Sequence, residues 1–347
     1  MNDTALQAID RDFGLIAELV RLHAKARPDA VALRDDQGTS TWAELDAQMD
    51  RVACALQKAG VASGDAVAIC AASSIPYATV FLGALRAGAA VAPLAPSSTP
   101  ASLQRMVQDA GAKVLFLDAT TRSQLDEVPA DVARVALDEA AAGSEQQFDD
   151  WLAPRDEAPA APQITPASPF NIIYSSGTTG EPKGIVQGHG MRWAHVRRGG
   201  KNGYGPQSVT LLSTPLYSNT TLVVFFPTIA YGGCVVLMPK FDASRYLQLA
   251  QDLRVTHTML VPVQYQRLMA HPEFDRFDLS AFHAKFCTSA PFSAALKADV
   301  VARWPGALTE YYGMTEGGGT CILEAHLHPE KLHTVGTPAE GSDVRLI

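Results

Sequence analysis

The sequence predicts the α/β class, with two mostly parallel sheets covered by helices. Three observations lead there: short apolar runs of strand length, amphipathic runs of helical period between them, and strand–helix–strand units of roughly 30 residues, which impose parallel pairing with a right-handed crossover. At 347 residues the chain exceeds a typical single domain and has material for two lobes.

The elements follow in order. In TWAELD at 41–46, Ser40 or Thr41 caps a helix and Glu44 closes a capping box. Leu45, Met49, Val52, Ala55 and Leu56 recur at helical spacing, and Gly60 ends the run. AVAIC at 66–70 reads as a buried strand. PYATVFLGALRAG at 76–88 reads as a helix with proline near its start and glycine at its end, and AAVAPL at 89–94 as a second strand. SLQRMVQDAG then gives a helix and KVLFLD at 113–118 a strand. APRDEAPAAPQITPAS at 153–168 has no apolar period; it reads equally as an exposed connection between two lobes, 1–165 and 166–347, or as a long surface loop within one domain. Beyond it FNIIYSS, SVTLLST, CVVLMP, THTMLVP, KFCTSAP and ALTEYYGMTE read as strands, and SRYLQLAQDLRV, QYQRLMAHP and AALKADVVARWP as helices.

Bulk composition excludes several function classes. A net charge of −8 gives no electrostatic footprint for nucleic acid. The one basic cluster, Arg192, Arg197, Arg198 and Lys201, reads as a solvated helix face. The five cysteines are widely spaced without a CxxC pair, so they read as small buried hydrophobes rather than a disulfide frame or zinc site. The acidic N-terminus is no signal peptide, and the most apolar run, 222–238, is broken by Pro227 and by Gly232-Gly233 before it could span a bilayer. The expectation is a cytoplasmic protein with no membrane span.

The chemistry concentrates in YSSGTTGEPKG at 174–184. A strand that runs into Ser175-Ser176-Gly177-Thr178-Thr179-Gly180 offers closely spaced backbone N–H groups and four hydroxyls. Glycines admit positive φ and close backbone approach, so such a run can form an anion nest. Lys183 adds one mobile cation behind Pro182. These are the requirements of a polyphosphate cradle. The loop is not a Walker A motif, because Pro182 stands where glycine is needed, and it is not GxGxxG. No kinase catalytic loop is present either.

SSGTTGEPKG resembles the phosphate-binding signature of the adenylate-forming superfamily: acyl- and aryl-CoA synthetases, peptide-synthetase adenylation domains and firefly luciferase. Tyr311-Tyr312-Gly313-Met314-Thr315-Glu316 matches the family's YGxTE motif. Looser matches are Thr288-Ser289-Ala290-Pro291 to GGAPL, with the first glycines replaced, and Thr334-Val335-Gly336-Thr337-Pro338 to VGxPxPGxEVR. TWAELD, GDAVAIC and AGAAVAPLAP resemble the family's opening elements, so the likeness runs from about residue 41 to the last.

The resemblance implies a layered αβαβα large domain with its small β-barrel part incomplete and the C-terminal lid domain absent. It implies ATP-dependent activation of a small carboxylic acid to an acyl-adenylate, followed by thioester formation with CoA. Aryl or medium-chain acids are the guessed substrates. Ser175, Ser176, Gly177, Thr178, Thr179, Gly180 and Lys183 would hold the β- and γ-phosphates. Thr315 would reach the α-phosphate, and Glu316 would hold Mg²⁺. Ser289, Ala290 and Pro291, with Tyr311, Tyr312, Gly313 and Met314, would flank AMP. Tyr217, Ser218, Asn219, Thr221, Tyr265 and Gly317 would shape the acid pocket, with Ser218 standing where many relatives carry histidine. Because the chain stops at Ile347, before the family's ribose-binding aspartate and lid lysine, the resemblance also implies an impaired, truncated form. The alternatives are a non-catalytic nucleotide- or acyl-adenylate-binding module and an adenylation domain serving a carrier protein; a homodimer is compatible with any of them.

Overall fold

The computed structural model describes residues 3–138, 141–175, 183–316 and 320–344. Its strands, in chain order, are β1 (Val31–Arg34), β2 (Thr39–Thr41), β3 (Ala66–Cys70), β4 (Ala90–Pro93), β5 (Ala112–Leu117), β6 (Ala133–Ala136), β7 (Gln146–Gln147), β8 (Pro169–Ser175), β9 (Lys183–Gly188), β10 (Val209–Leu212), β11 (Cys234–Leu237), β12 (His257–Leu260), β13 (Ala284–Cys287), β14 (Ala307–Tyr312), β15 (Cys321–Glu324) and β16 (Thr337–Pro338).

Among the described residues they form a seven-stranded sheet, β7-β6-β5-β3-β4-β8-β9, and a nine-stranded sheet, β16-β15-β14-β13-β12-β10-β11-β1-β2. The interior pairs are parallel; β8–β9, β1–β2, β14–β15 and β15–β16 are antiparallel and lie toward the edges. The class is therefore α/β with two mostly parallel sheets, and the described residues form no closed barrel.

The layering follows from strand alternation. Val67 and Ile69 of β3 join the largest core cluster, while Ala68 and Cys70 face a separate core. In the other sheet Val235 and Leu237 of β11 join the largest cluster, and Val236 faces a third core. The shared core holds the helices Ile16–Ala26, Trp42–Lys58, Ile75–Ala87, His189–Gly199 and Asn219–Ala230, sandwiched between the sheets. Helix Pro100–Asp109 covers the outer face of the seven-stranded sheet. Ala243–Asp252, Pro262–Met269 and Ala294–Arg303 cover the outer face of the nine-stranded one. Helix, sheet, helix, sheet, helix is the resulting order.

Local chemistry explains the element ends. Thr41 accepts from the Glu44 amide at 3.3 Å while the Glu44 carboxylate accepts from the Thr41 amide at 2.8 Å, closing the expected capping box. Gly88 ends helix Ile75–Ala87 at φ 83, where a Cβ would also strike Pro162 at 2.6 Å.

One sequence expectation is corrected by the sheets, and of the two readings open for 153–168 the surface segment within one domain fits. The sheets do not divide at 165/166: β1 and β2 belong with strands from residues 209–338, and β8 and β9 with strands from residues 66–147. The 153–168 stretch is a strap along helix Trp42–Lys58 rather than an interlobe linker. Arg51 donates to the Ala153 carbonyl at 2.7 Å, Gln57 bonds both backbone groups of Ala160, and Lys58 pairs with Glu157.

Candidate active site

The site begins at the β8–β9 hairpin. The two strands are antiparallel, with Ser175 opposite Lys183 at their far end. Ser176, Gly177, Thr178, Thr179 and Gly180 lie outside the described residues, as does Gly317. Lys183 is exposed. Tyr174 anchors the end of β8: its hydroxyl donates to Asp109 Oδ2 at 2.7 Å and reaches the Met106 carbonyl at 3.0 Å. Burial, then the Asp109 carboxylate, pushes its pKa upward, so it serves as a neutral hydrogen-bond donor.

Beside the hairpin lies a cavity of about 260 Å³. Ile173 and Tyr174 form one wall, and Tyr217, Ser218, Asn219 and Thr220 a second. Ser289 and Thr315 contribute further walls, with Pro93, Ala95, Ser98 and Met106 completing the lining. Helix Asn219–Ala230 starts at this cavity; the Ser218 side chain makes no capping bond and the Thr221 amide donates to the Ser218 carbonyl at 3.0 Å, while the Asn219 and Thr220 amides have no partner among the described residues and can meet an anion.

Ser289 sits at φ 79, in the left-handed region that favours glycine, and its hydroxyl lies 2.6 Å from Thr220 Oγ1. The backbone at this position keeps a glycine-type conformation with a serine in it. Holding a Cβ there costs about 1–2 kcal/mol. Ser289→Gly is therefore expected to raise the urea midpoint at unchanged slope. A lowered midpoint would mean that the bond to Thr220 outweighs the strain.

Tyr311 and Tyr312 part at the end of β14 by strand alternation. Tyr311 is half-buried and packs against the core, stacked on Phe286 at 5.8 Å, and burial pushes its pKa up to about 12. Tyr312 is 61% exposed, Met314 67% exposed, and Gly313, Glu316, Ala290 and Pro291 are exposed as well. They flank Ser289 and Thr315, which line the cavity, in sequence but do not line it themselves.

Two predicted pocket residues do not line the cavity. Tyr265 is fully buried in the outer core, stacked on Phe292, with its hydroxyl donating to the Phe286 carbonyl at 2.9 Å. Helix Pro262–Met269 turns that ring inward because its apolar face covers the sheet. Thr221 is fully buried and donates to Thr214 at 2.7 Å.

A polar network behind the cavity was missed. Arg192, 1% exposed, is the buried member of the cluster read as a solvated face; Arg197 and Arg198 are exposed. It donates to Asn171 Oδ1 at 3.0 Å, to Asn219 Oδ1 at 2.7 Å and to Gln187 Oε1. Gln187 in turn donates to the Thr315 carbonyl at 2.7 Å. Asn171 amid the apolar run FNIIYS was the available signal, since a central strand buries amides only with partners.

The pattern of the AMP-binding enzyme family matches residues 20–347. Feruloyl-CoA synthase from Amycolatopsis sp is 32% identical over 97% of this chain, and indoleacetate–CoA ligase from Aromatoleum aromaticum is 28% identical over 96%. The chain spans 66% of the length of each. In structure it is similar to the N-terminal domain of FACL13 from Mycobacterium tuberculosis, with a TM-score of 0.80, 24% identity, and coverage of 93% of this chain and 82% of that one. With the family's pattern matched from residue 20 to the last and two mostly parallel sheets under helices, the chain belongs to the AMP-binding enzyme family.

Proposed function

We propose that this chain carries the ATP- and acid-binding part of an enzyme that activates a carboxylic acid as its acyl-adenylate and passes the acyl group to the thiol of CoA. The supporting observation is convergence: Tyr174 beside the phosphate hairpin, residues 217–220, Ser289 and Thr315 come from segments far apart in sequence and wall one cavity. A mostly preformed cleft with a few convergent polar groups is what a small ligand needs.

In the first half-reaction a carboxylate oxygen attacks the α-phosphorus of ATP. A new P–O bond forms as the bond to the β-phosphate oxygen breaks, and pyrophosphate leaves. In the second, the thiol sulfur attacks the acyl carbon, AMP departs with the electron pair, and the thiol proton goes to solvent. Positioning and charge neutralisation dominate such transfers.

Ser175, Lys183 and the 176–180 loop would hold the β- and γ-phosphates, and Thr315 the α-phosphate. Tyr312 with residues 289–291 would flank adenine; Tyr217, Ser218 and Asn219 would meet the acid. For Mg²⁺ the donor set fits: Glu316 is an exposed carboxylate, and no cluster of three or more His, Cys, Asp or Glu occurs among the described residues. That suits a cation held chiefly by substrate phosphates with one protein carboxylate. When bound, Mg²⁺ would neutralise phosphate charge. Relatives named for ferulate and indoleacetate favour an aryl acid.

The test is acid-dependent ATP–pyrophosphate exchange across aryl and fatty acids. Glu316→Ala is expected to abolish Mg²⁺-dependent exchange and Lys183→Ala to weaken ATP binding modestly. If no acid stimulates exchange, or if Glu316→Ala exchanges normally, this assignment falls.

A further inference from the structure

Arg192 is an unusual residue to bury. Its guanidinium makes no ion pair among the described residues, its three acceptors are all side-chain amides, and Nη1 has no hydrogen-bond partner. It lies over the Phe170–Phe226 pair, 5.8 Å from each ring centroid, the two centroids being 4.9 Å apart. Burial pushes its pKa down to about 9, which still leaves it charged at neutral pH. A buried cation without a counter-ion is costly unless something nearby recovers the cost.

Its partners indicate what that is. Guanidinium nitrogens only donate, so each amide that Arg192 contacts must present oxygen to it and NH₂ away from it. For Gln187 the outward NH₂ donates to the Thr315 carbonyl, which fixes one cavity wall. For Asn171 the outward NH₂ donates to Gln187 Oε1 at 3.0 Å, tying β8 to β9 four positions from the Ser175–Lys183 pair at the hairpin end. For Asn219 the outward NH₂ finds no partner among the described residues, and Asn219 itself lines the cavity at the start of helix Asn219–Ala230.

We propose that Arg192 is a positioning residue of the activation site, orienting the Asn219 amide so that its NH₂ donates to the carboxylate of the incoming acid, with the buried guanidinium charge behind it. The inference rests on the acid-activation reading above. It assigns acid recognition to Asn219, next to Ser218, which carries no ring nitrogen to donate. The same guanidinium ties acid site, hairpin and Thr315 into one rigid unit, so acid and ATP meet in a fixed relative geometry. A neutral amide backed by a remote cation suits a carboxylate that must afterwards attack: it is held by hydrogen bonds without being quenched by a direct salt bridge.

The experiment is calorimetric titration of ferulate and of indole-3-acetate into the full chain saturated with Mg²⁺ and α,β-methylene ATP. Asn219→Ala should weaken acid binding about tenfold, the loss of one charge-assisted hydrogen bond. Asn219→Asp should weaken it further, by placing a like charge on the acid, while the Kd of the nucleotide stays within about twofold. Arg192→Met should also weaken acid binding, and adding Asn219→Ala to it should cost little more, because the amide it oriented is already free to turn. Arg192→Lys should recover only part, lacking the fork that reaches Gln187 and Asn219 together. Additive losses in Arg192→Met/Asn219→Ala, or unchanged acid binding in Asn219→Ala and Asn219→Asp, would overturn the proposal while leaving acid activation intact. Wild type that binds neither acid, together with no acid of the aryl and fatty panel stimulating exchange, overturns both. If Arg192→Met does not fold, the two Asn219 variants still decide.

Discussion

Acidification from pH 6.5 to 4.5 is expected to destabilise the chain steeply, before most of its carboxylates protonate. Four histidines are held neutral. Burial, as the largest cause in each, pushes His23, His189 and His257 down to about 4 and His195 to about 3. The His23 Nε2 contact with the Ala230 carbonyl at 2.7 Å opposes its shift only in part, and for His195 the neighbouring Arg192 and Arg198 add to it. His189 Nε2 and His195 Nδ1 are buried without partners among the described residues. The sign follows from linkage. Above pH 6.5 both folded and unfolded histidines are neutral and the full stability is present. Below it the unfolded chain binds protons that the folded chain refuses, so stability falls as pH falls toward 4. Each group approaches a slope of about 1.4 kcal/mol per pH unit, so four together can consume much of a typical stability of about 5–15 kcal/mol. Urea unfolding at steps between pH 7.5 and 4.5 reads the slope directly. His195→Leu removes no Nδ1 hydrogen bond and should flatten the slope by about one proton. A flat profile, or a slope indifferent to His195→Leu, would contradict this account.

AVAIC, KVLFLD and CVVLMP are short apolar runs, and each is a strand, because a sheet covered on both faces needs apolar residues at every position. Thr41 with Glu44, and Gly88 at a helix end, report backbone requirements that are local, so a single sequence carries them. Sheet membership is not local. β1 pairs with β11 about 200 residues downstream (Leu33 with Val235, Arg34 with Val236), and no pattern in either strand names its partner. For that reason a division at 165/166 looked reasonable from composition and does not match the sheets. Arg192 misled for a related cause: a basic residue near Arg197 and Arg198 reads as solvated unless its helix phase is weighed. Trp193 and Val196 are buried on the same helix, and Arg192 shares the buried side. The motifs of the site were legible because backbone geometry restricts them. Which tyrosines face the cavity was not, since Tyr217 lines it while Tyr265 packs into the core and Tyr311 against it.

Lys297→Met is expected to be among the most destabilising single changes outside the cavity, costing about 3–5 kcal/mol. Lys297 Nζ lies 2.5 Å from Glu310 Oε2, with the side chains only 1% and 6% exposed, and also donates to the Thr334 carbonyl at 2.9 Å. Methionine fills the volume but leaves the Glu310 carboxylate buried with no cation, inside a strand hydrogen-bonded on both sides. The penalty is desolvation rather than lost attraction, which makes a second result diagnostic. Lys297→Met/Glu310→Leu removes both charges and should regain most of the loss, giving a coupling energy of several kcal/mol in a double-mutant cycle by urea unfolding. Glu310 begins the stretch that runs through Tyr311 and Tyr312 into Thr315 and Glu316, so the single variant should also loosen that segment; faster amide exchange there is the local readout. Additive effects in the cycle would mean that the pair contributes through packing alone. A single variant as stable as wild type would show that the carboxylate reaches water, and the anchoring of β14 would then have to come from its strand neighbours.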